Sequence, residues 1–563
     1  MAEVSGTAHV TAARAAVDAA QELLDGAAAA LAARSTAGGK VVLDLMDEHQ
    51  IACYDVAYAA SAVDGARRVL EAYAPLGATE ALLAVANAAD VVADLRSRLD
   101  GRLPEWGVDR GVFDATVGAS VVTDFLDAAR SAATVDAVAA AVCDDDGVPG
   151  GPAHLDEDFA LMAESFKAFG EDKIRPQAEH VHRSNGDVPE DIISGVAELG
   201  CFGLSIPEAY GGLASADVDH TMAMVVATEM LSWASLGLGG ALITRPEILS
   251  KAIVGWGTED QKHRWLPGIA AGEQMVGVAV TEPDFGSDVA NIKVRAVPAG
   301  ESGDEAGFLV NGVKTWCTFA GRADLLMLLA RTGTPEDGHR GLSLFVVPKT
   351  PHAGHHFEET QESAFGTGKM EGRAIDTLGY RGMHSFEVSF DNWFVPAGDL
   401  VGGEAGVGKG FYMQMDAFAN GRVQTAARAV GLMQAAFEMA RDYAKDRVVF
   451  AKPIYDYQLT RWKLARMAWM IQACRQYTYQ VAALLSAGEG QLEASMVKMY
   501  ACRCAEWVTR EAMQIHGGMG YAEEYDVSRY FVDARVLTIF EGAEETLALR
   551  VIIRRLLEQA LHD

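Results

Sequence analysis

Residues 278–289 read Val-Ala-Val-Thr-Glu-Pro-Asp-Phe-Gly-Ser-Asp-Val. The first three continue a short apolar run from Met275, a strand pattern, and Thr281, Pro283, Gly286 and Ser287 then break it into a loop. Such a loop can present backbone N–H groups and hydroxyls to a polar ring edge or a phosphate, because glycine lets the main chain come close. An ordinary strand exit has the same composition, so the segment takes its meaning from its surroundings.

Between about 276 and 398 the apolar residues keep a strand period. Met275–Val280, Ile292–Val297, Phe308–Val310, Leu325–Ala330, Leu342–Val347 and Ser385–Phe390 are short and rich in β-branched or aromatic residues. Asn311-Gly312 predicts a tight turn ahead of the strand holding Trp316, and 300–307 a hairpin tip. On both sides the period turns helical, in Val10–Ala33, Gln50–Ala74 and Thr79–Leu99 before it, and in Arg422–Arg447, Gln458–Ser486, Ala494–Ile515 and Glu544–Leu561 after it. The run from Asp144 to Asp158 packs acids, prolines and glycines together and predicts a linker. The expected organisation is α+β and multidomain: a helical extension over 1–145, a helical domain over 146–275, a β-domain over 276–398 and a helical domain over 399–563. His49-Gln-Ile-Ala-Cys-Tyr-Asp-Val-Ala57 echoes Tyr457-Gln-Leu-Thr-Arg-Trp-Lys-Leu-Ala465; either the extension imitates a helix pair of the carboxy-terminal part, or Ala-rich amphipathic helices simply look alike.

With 563 residues and 50% apolar content the chain can bury several cores, which excludes a disordered protein. Its 47 basic against 78 acidic residues leave a net charge of −31, which repels nucleic-acid phosphates and anionic membranes. Seven scattered cysteines suit a reducing compartment, and the start, MAEVSGTAHVTAAR, lacks the basic and apolar regions of a secretory signal, so a cytoplasmic protein is expected. The most apolar stretch, Thr221–Thr244, carries Glu229 and is too short for a bilayer span; it reads as a buried helix.

Together with Asn311-Gly-Val-Lys-Thr-Trp-Cys-Thr318, the opening segment resembles the flavin-binding β-domain of acyl-CoA dehydrogenases, with its TEPxxGSD loop and NGxKxWxT strand. Arg422-Val-Gln-Thr-Ala-Ala-Arg-Ala-Val-Gly431, Arg447-Val-Val-Phe-Ala-Lys452 with Gln458, Met513-Gln-Ile-His-Gly-Gly-Met-Gly-Tyr521 and Phe540-Glu-Gly542 follow in the family's order. The resemblance covers about 155–563 and implies a helical domain, a β-barrel-like middle domain and a four-helix carboxy-terminal domain, with FAD as cofactor. It implies that Thr281 and Thr318 bond the isoalloxazine edge, that Trp316 packs on the ring, and that Ser287 serves the cofactor or CoA side. Arg447 and Gln458 match positions reaching the pyrophosphate and adenosine, and Gln514, Gly517 and Gly518 a turn contributed across a homodimer. An arginine fork suits a pyrophosphate because it donates several charge-assisted bonds.

The reaction implied removes the α-proton of an acyl-CoA thioester while the β-hydrogen leaves as hydride to the flavin, which needs a carboxylate at the site. Glu541 matches the family's base. Some branches place the base just before the arginine matching Arg422, but here that residue is Gly421. The Glu541 backbone N–H is implied to bond the thioester oxygen. Arg422, Asp416, Ser287 and Gly542 are the substrate-side positions, although Asp416 stands farther from Arg422 than in the common LDxxR pattern. After Glu541 the chain reads Gly-Ala-Glu-Glu-Thr-Leu-Ala-Leu-Arg550 where relatives have GTSxIQR, so the usual threonine contact to FAD is lost at Ala543.

A long acidic helical extension ahead of a complete core resembles the branch that oxidises (2S)-methylsuccinyl-CoA to mesaconyl-CoA in the ethylmalonyl-CoA pathway and passes electrons to an electron-transfer flavoprotein. A carboxylated acyl group needs a cation at the far end of its pocket, since an unpaired buried charge is costly. Arg245 is the candidate; a surface arginine, or one paired with Glu247, is the alternative. A dehydrogenase of a neutral short or branched acyl-CoA, or a flavin scaffold without that activity, also stays open. His352, His355 and His356 cluster in a Gly- and Glu-containing segment, and no metal site is expected there.

Overall fold

The computed structural model describes residues 6–144, 147–215, 219–300 and 306–562, in two compact units, Glu157–Gln424 and Met1–Asp156 with Thr425–Asp563. Most of the expected tip at 300–307, and Asp145 and Asp146 of the expected linker, lie outside the described residues. Helices of eight or more residues and strands of four or more are numbered along the chain.

In the amino-terminal block, α1 (Gly6–Arg34), α2 (Gln50–Ala72) and α3 (Ala78–Leu99) pack on one another, followed by α4 (Ser120–Ala129) and α5 (Ala132–Cys143). Ala13, Ala16, Val17, Ala20, Leu23, Leu24, Ala27 and Leu31 are buried on α1, the spacing of three and four that one helical face requires. The run after α5 is pinned down. Gln434 donates to the carbonyl of Pro149, Gln472 to those of Gly150 and Gly151, Gln476 to Ala153 and Tyr73 to Pro152. A Pro/Gly stretch makes few ladder bonds of its own, so buried carbonyls there take side-chain donors.

The second unit begins with α6 (Glu157–Phe169), α7 (Arg175–Ser184), α8 (Glu190–Glu198), α9 (His220–Ala234), α10 (Thr244–Trp256) and α11 (Glu259–Ala270). Eight strands follow: β1 (Val276–Ala279), β2 (Arg295–Ala299), β3 (Gly307–Thr318), β4 (Leu325–Arg331), β5 (Leu342–Pro348), β6 (His356–Ser363), β7 (Gly366–Ile375) and β8 (Ser385–Pro396). They form one sheet in the order β1-β4-β2-β3-β8-β7-β6, with β5 on β4; β1 and β2 run parallel to β4 and the other pairs are antiparallel. This is a curled half-barrel, open rather than closed. Leu325, Met327 and Leu329 pack with Leu249, Ile253 and Leu266 of α10 and α11, while Leu326 and Leu328 pack with Phe345, Phe357 and Phe386 on the other face. Burial on both faces explains why β4 reads as an unbroken apolar run.

Two expectations about the sheet are corrected. Asn311-Gly312 makes no turn: both lie inside β3, beside an irregularity in the register with β8 between Phe390 and Trp393. Gly312 has φ +132, and a Cβ there would stand 2.8 Å from Val294, so the glycine serves a kink in a continuous strand. Strands β6 and β7 were not visible in the pattern because HFEETQES and GTGKMEGRAI bury few side chains and carry no apolar run.

The two flavin-type motifs are bound to each other. The Glu282 carboxylate accepts from the backbone N–H of Lys293 (2.6 Å) and Val294 (2.8 Å) and from Lys314 Nζ (2.9 Å), which also donates to Val280 O. Burial lowers the Lys314 pKa to about 8 against the pull of Glu282. Removing one partner of a buried pair leaves the other uncompensated, so Lys314→Met is expected to destabilise this unit by about 3–5 kcal/mol. Thermal unfolding checks this; an unchanged Tm would contradict it.

The carboxy-terminal elements are α12 (Gly410–Asp446), α13 (Gln458–Ser486), α14 (Gln491–His516), α15 (Val527–Leu537) and α16 (Ile553–Ala560). The helix expected over Glu544–Leu561 is interrupted by a π-helical segment at Leu547–Ile552. In this unit α2 packs on α13 and α14, α3 and α5 on α13, and α1 on α16. The echoed segments both open a helix at their glutamine, Gln50 and Gln458, and each helix is packed against its successor. Among the described residues no helix is long and apolar enough to cross a membrane.

Candidate functional site

In the sheet unit, Thr281 is half-buried at the end of β1 and Ser287 is exposed in the loop beyond. Thr315 N–H donates to Thr281 O (2.8 Å), which joins this loop to β3. Trp316, next on β3, is 54% exposed and has φ +55. A left-handed aromatic residue costs about 1–3 kcal/mol and persists only where its surroundings hold it. Here β3 is paired on both sides, and Phe319 N–H donates to the carbonyls of Met383 and His384. Thr318 is buried, its Oγ1 3.0 Å from Ser385 Oγ. An open indole next to hydroxyls and a loop with exposed main chain fits a flat heteroaromatic ring with a polar edge.

Arg245 lies on α10 and is only 5% exposed. Its Nη1 donates to Ala241 O (3.1 Å) and to Tyr380 Oη (2.7 Å), both neutral acceptors. Glu247, the expected alternative partner, instead accepts from Ser205 Oγ at 2.9 Å. The Arg245 guanidinium also lies near the Tyr380 ring, 5.7 Å from the centroid, and among the described residues no carboxylate makes an ion pair with it. Asp416, exposed on α12, accepts from Trp256 Nε1 (3.2 Å), and Arg422 is half-buried two turns on.

In the other unit, stacking of Tyr443 on His516, with ring centroids 4.2 Å apart, brings the end of α12 to the end of α14. Arg447 follows the first and Gln514, Gly517 and Gly518 accompany the second, so these predicted positions share one end of the unit. Arg447 is exposed, with no ion pair among the described residues. Gln458, the first residue of α13, and Gln514 are exposed too. A Cβ on Gly517 or Gly518 would meet nothing within 4 Å. An exposed guanidinium, and separately an open glycine backbone, are each suited to an anion.

Glu541 is half-buried with φ +54, and Gly542 follows at φ +98. Glu544 N–H donates to Thr538 O (3.0 Å) and closes the turn; Lys498 Nζ, fully buried on α14, donates to Gly542 O (2.7 Å). A Cβ on Gly542 would lie 2.8 Å from Leu547, so glycine is required there. The left-handed backbone turns the Glu541 N–H out of the helical pattern, and it bonds no carbonyl among the described residues. A carboxylate and a free N–H on one residue can take a proton and bind a developing oxyanion.

Sequence reading passed over Glu282, Lys314, Tyr380 and Lys498. The first two lie inside quoted motifs and could have been flagged as an acid just past β1 and a base on β3. Tyr380 and Lys498 carry no local signal. The histidines diverge: His352 faces Glu359 (3.1 Å) and His356, which opens β6, faces Glu371 (3.3 Å). His355 meets Asp187 and His384 instead, with donor atoms within 4.8 Å of one another. The Asp187 carboxyl is held below its usual range by His384 and by the Gly354 N–H.

Three family descriptions match consecutive parts of the chain: "Acyl-CoA dehydrogenase, N-terminal domain" over 156–273, "middle domain" over 277–393 and "C-terminal domain" over 408–557. A (2S)-methylsuccinyl-CoA dehydrogenase of Cereibacter sphaeroides is 36% identical over 552 residues, 96% of each chain. The butyryl-CoA dehydrogenase of Megasphaera elsdenii superposes with TM-score 0.63 at 29% identity, over 70% of this chain and 97% of its own. A glutaryl-CoA dehydrogenase in complex with glutaryl-CoA superposes with TM-score 0.63 at 29% identity, over 71% and 95%.

Proposed function

The chain belongs to the acyl-CoA dehydrogenase family, FAD-dependent enzymes that dehydrogenate acyl-CoA thioesters, and from that premise we propose that its substrate carries a carboxylate and is (2S)-methylsuccinyl-CoA, oxidised to mesaconyl-CoA. The observation that carries this reading is Arg245, a buried guanidinium bonded only to neutral oxygens. A buried cation without a counter-charge is costly, and a substrate carboxylate would remove that cost. The relative with the matching full length is named for methylsuccinyl-CoA, and a structural neighbour for glutaryl-CoA, also a carboxylated thioester.

In this reading Glu541 takes the α-proton, and its own N–H holds the thioester oxygen as negative charge develops there. Arg245 fixes the far end of the acyl group, with Tyr380 setting the direction of the guanidinium. Asp416, Arg422, Ser287 and Gly542 line the CoA side. FAD supplies the acceptor for the β-hydride. Thr281, Thr318 and Trp316 would hold its ring, Arg447 and Gln458 its pyrophosphate and adenosine, and Gln514, Gly517 and Gly518 would supply the turn contributed across the dimer. An electron-transfer flavoprotein then takes the electrons, and the compartment is the cytoplasm.

Anaerobic addition of methylsuccinyl-CoA should bleach the flavin band, with butyryl- and isovaleryl-CoA far less effective. Bleaching by the neutral thioesters alone would overturn the substrate and leave a dehydrogenase of neutral acyl-CoA; bleaching by none would leave a flavin scaffold.

The enzyme would work as a homodimer. Phe450, 91% exposed beside Arg447, and Tyr521, 84% exposed beyond Gly518, are aromatic surface that association would cover. Light scattering of the full chain should give twice 60.0 kDa, and a monomer would contradict it.

A further inference from the structure

We propose that the amino-terminal block is a working part of the catalytic turn, with Tyr54 of α2 as a positioning residue for Glu541; this rests on Glu541 being the base. The Tyr54 hydroxyl donates to Glu544 Oε1, linking residues 490 positions apart. Glu544 is buried, and Arg503 Nε of α14 lies 3.7 Å from the same oxygen. Burial and the adjoining carboxylate raise the Tyr54 pKa, so the hydroxyl keeps its proton and stays a donor. Glu544 is also the residue whose N–H closes the turn onto Thr538. Tyr54 therefore holds by its side chain the residue whose backbone shapes the Glu541 turn.

Two further observations point the same way. Arg550, one turn and a half beyond, makes a two-pronged pair with Asp47 of the amino-terminal block, at 2.7 and 2.8 Å. The block thus grips both ends of the interrupted segment 544–552, where the π-helical turn leaves regular bonding incomplete. Glu544 stands where the common GTSxIQR pattern has serine, so the acceptor that Tyr54 uses lies at a departure from that pattern. Lys498 braces the turn separately through Gly542 O, so loss of the Tyr54 bond removes one support and leaves the other. Because small displacements of a reacting group cost large factors in rate, the effect should fall on proton removal.

The test compares wild type, Tyr54→Phe, Glu544→Gln, Glu544→Ala and Glu541→Gln as full-length holoenzymes with equal flavin content. Tyr54→Phe should lower kcat about tenfold with KM changed less than about twofold, the loss of one hydrogen bond to a charged group. The isotope effect on kcat with α-deuterated substrate should rise, which a mere loss of folded enzyme would not produce. Glu544→Gln, which keeps an acceptor for Tyr54, should retain more activity than Glu544→Ala. A Tyr54→Phe enzyme with wild-type kcat and isotope effect, beside an inactive Glu541→Gln, overturns the positioning role alone; an active Glu541→Gln overturns the assignment of the base.

Discussion

Replacing Glu541 with Gln is expected to lower turnover by about 10²–10⁴-fold, the range over which a positioned general base contributes. The amide is nearly the same shape, so the turn held by Lys498 at Gly542 O and by Glu544 N–H at Thr538 O should survive, and with it the flavin. Substrate should still bind, because the N–H proposed to hold the thioester oxygen belongs to the backbone. What disappears is the proposed acceptor for the α-proton. Gly421 cannot replace it, since it has no side chain. Stopped-flow mixing with substrate should show binding without flavin bleaching; bleaching at the wild-type rate would remove Glu541 from the reaction.

Replacing Arg245 with Met is expected to lower kcat/KM for methylsuccinyl-CoA by about 10²–10³-fold, the effect of leaving a buried carboxylate without its cation. Unlike many changes at buried sites, this one should cost little stability. The native guanidinium is itself buried against neutral oxygens, so an apolar side chain of similar length removes a desolvation cost as well as two hydrogen bonds. Tyr380, buried in the connection between β7 and β8, loses its cationic partner. With isovaleryl-CoA the variant should match or exceed the wild type, because the cation no longer opposes an apolar chain end. Equal losses with both thioesters would mean that Arg245 supports the fold and does not read the carboxylate.

The order of helical and strand regions was legible because both periods are local: a helix face repeats every three or four residues and a buried strand is a short apolar run. Where that signal was weak, reading failed. Strands β6 and β7 bury too little to show a pattern, and Asn311-Gly312 carries turn chemistry but lies in a strand paired on both sides, where tertiary pairing overrides it.

The sequence alone determined the family and pointed to Glu541 as the residue to test as base, since the motifs near 281, 316, 447, 517 and 541 are short strings whose spacing survives without coordinates. Only the tertiary structure decided that Glu282 answers Lys314, that Arg245 has neutral neighbours, and that an acidic extension reaches the turn after Glu541 through Tyr54. Each is a meeting of residues distant along the chain, and in each the energy depends on burial and on which partner is absent, quantities that exist only once the chain has packed.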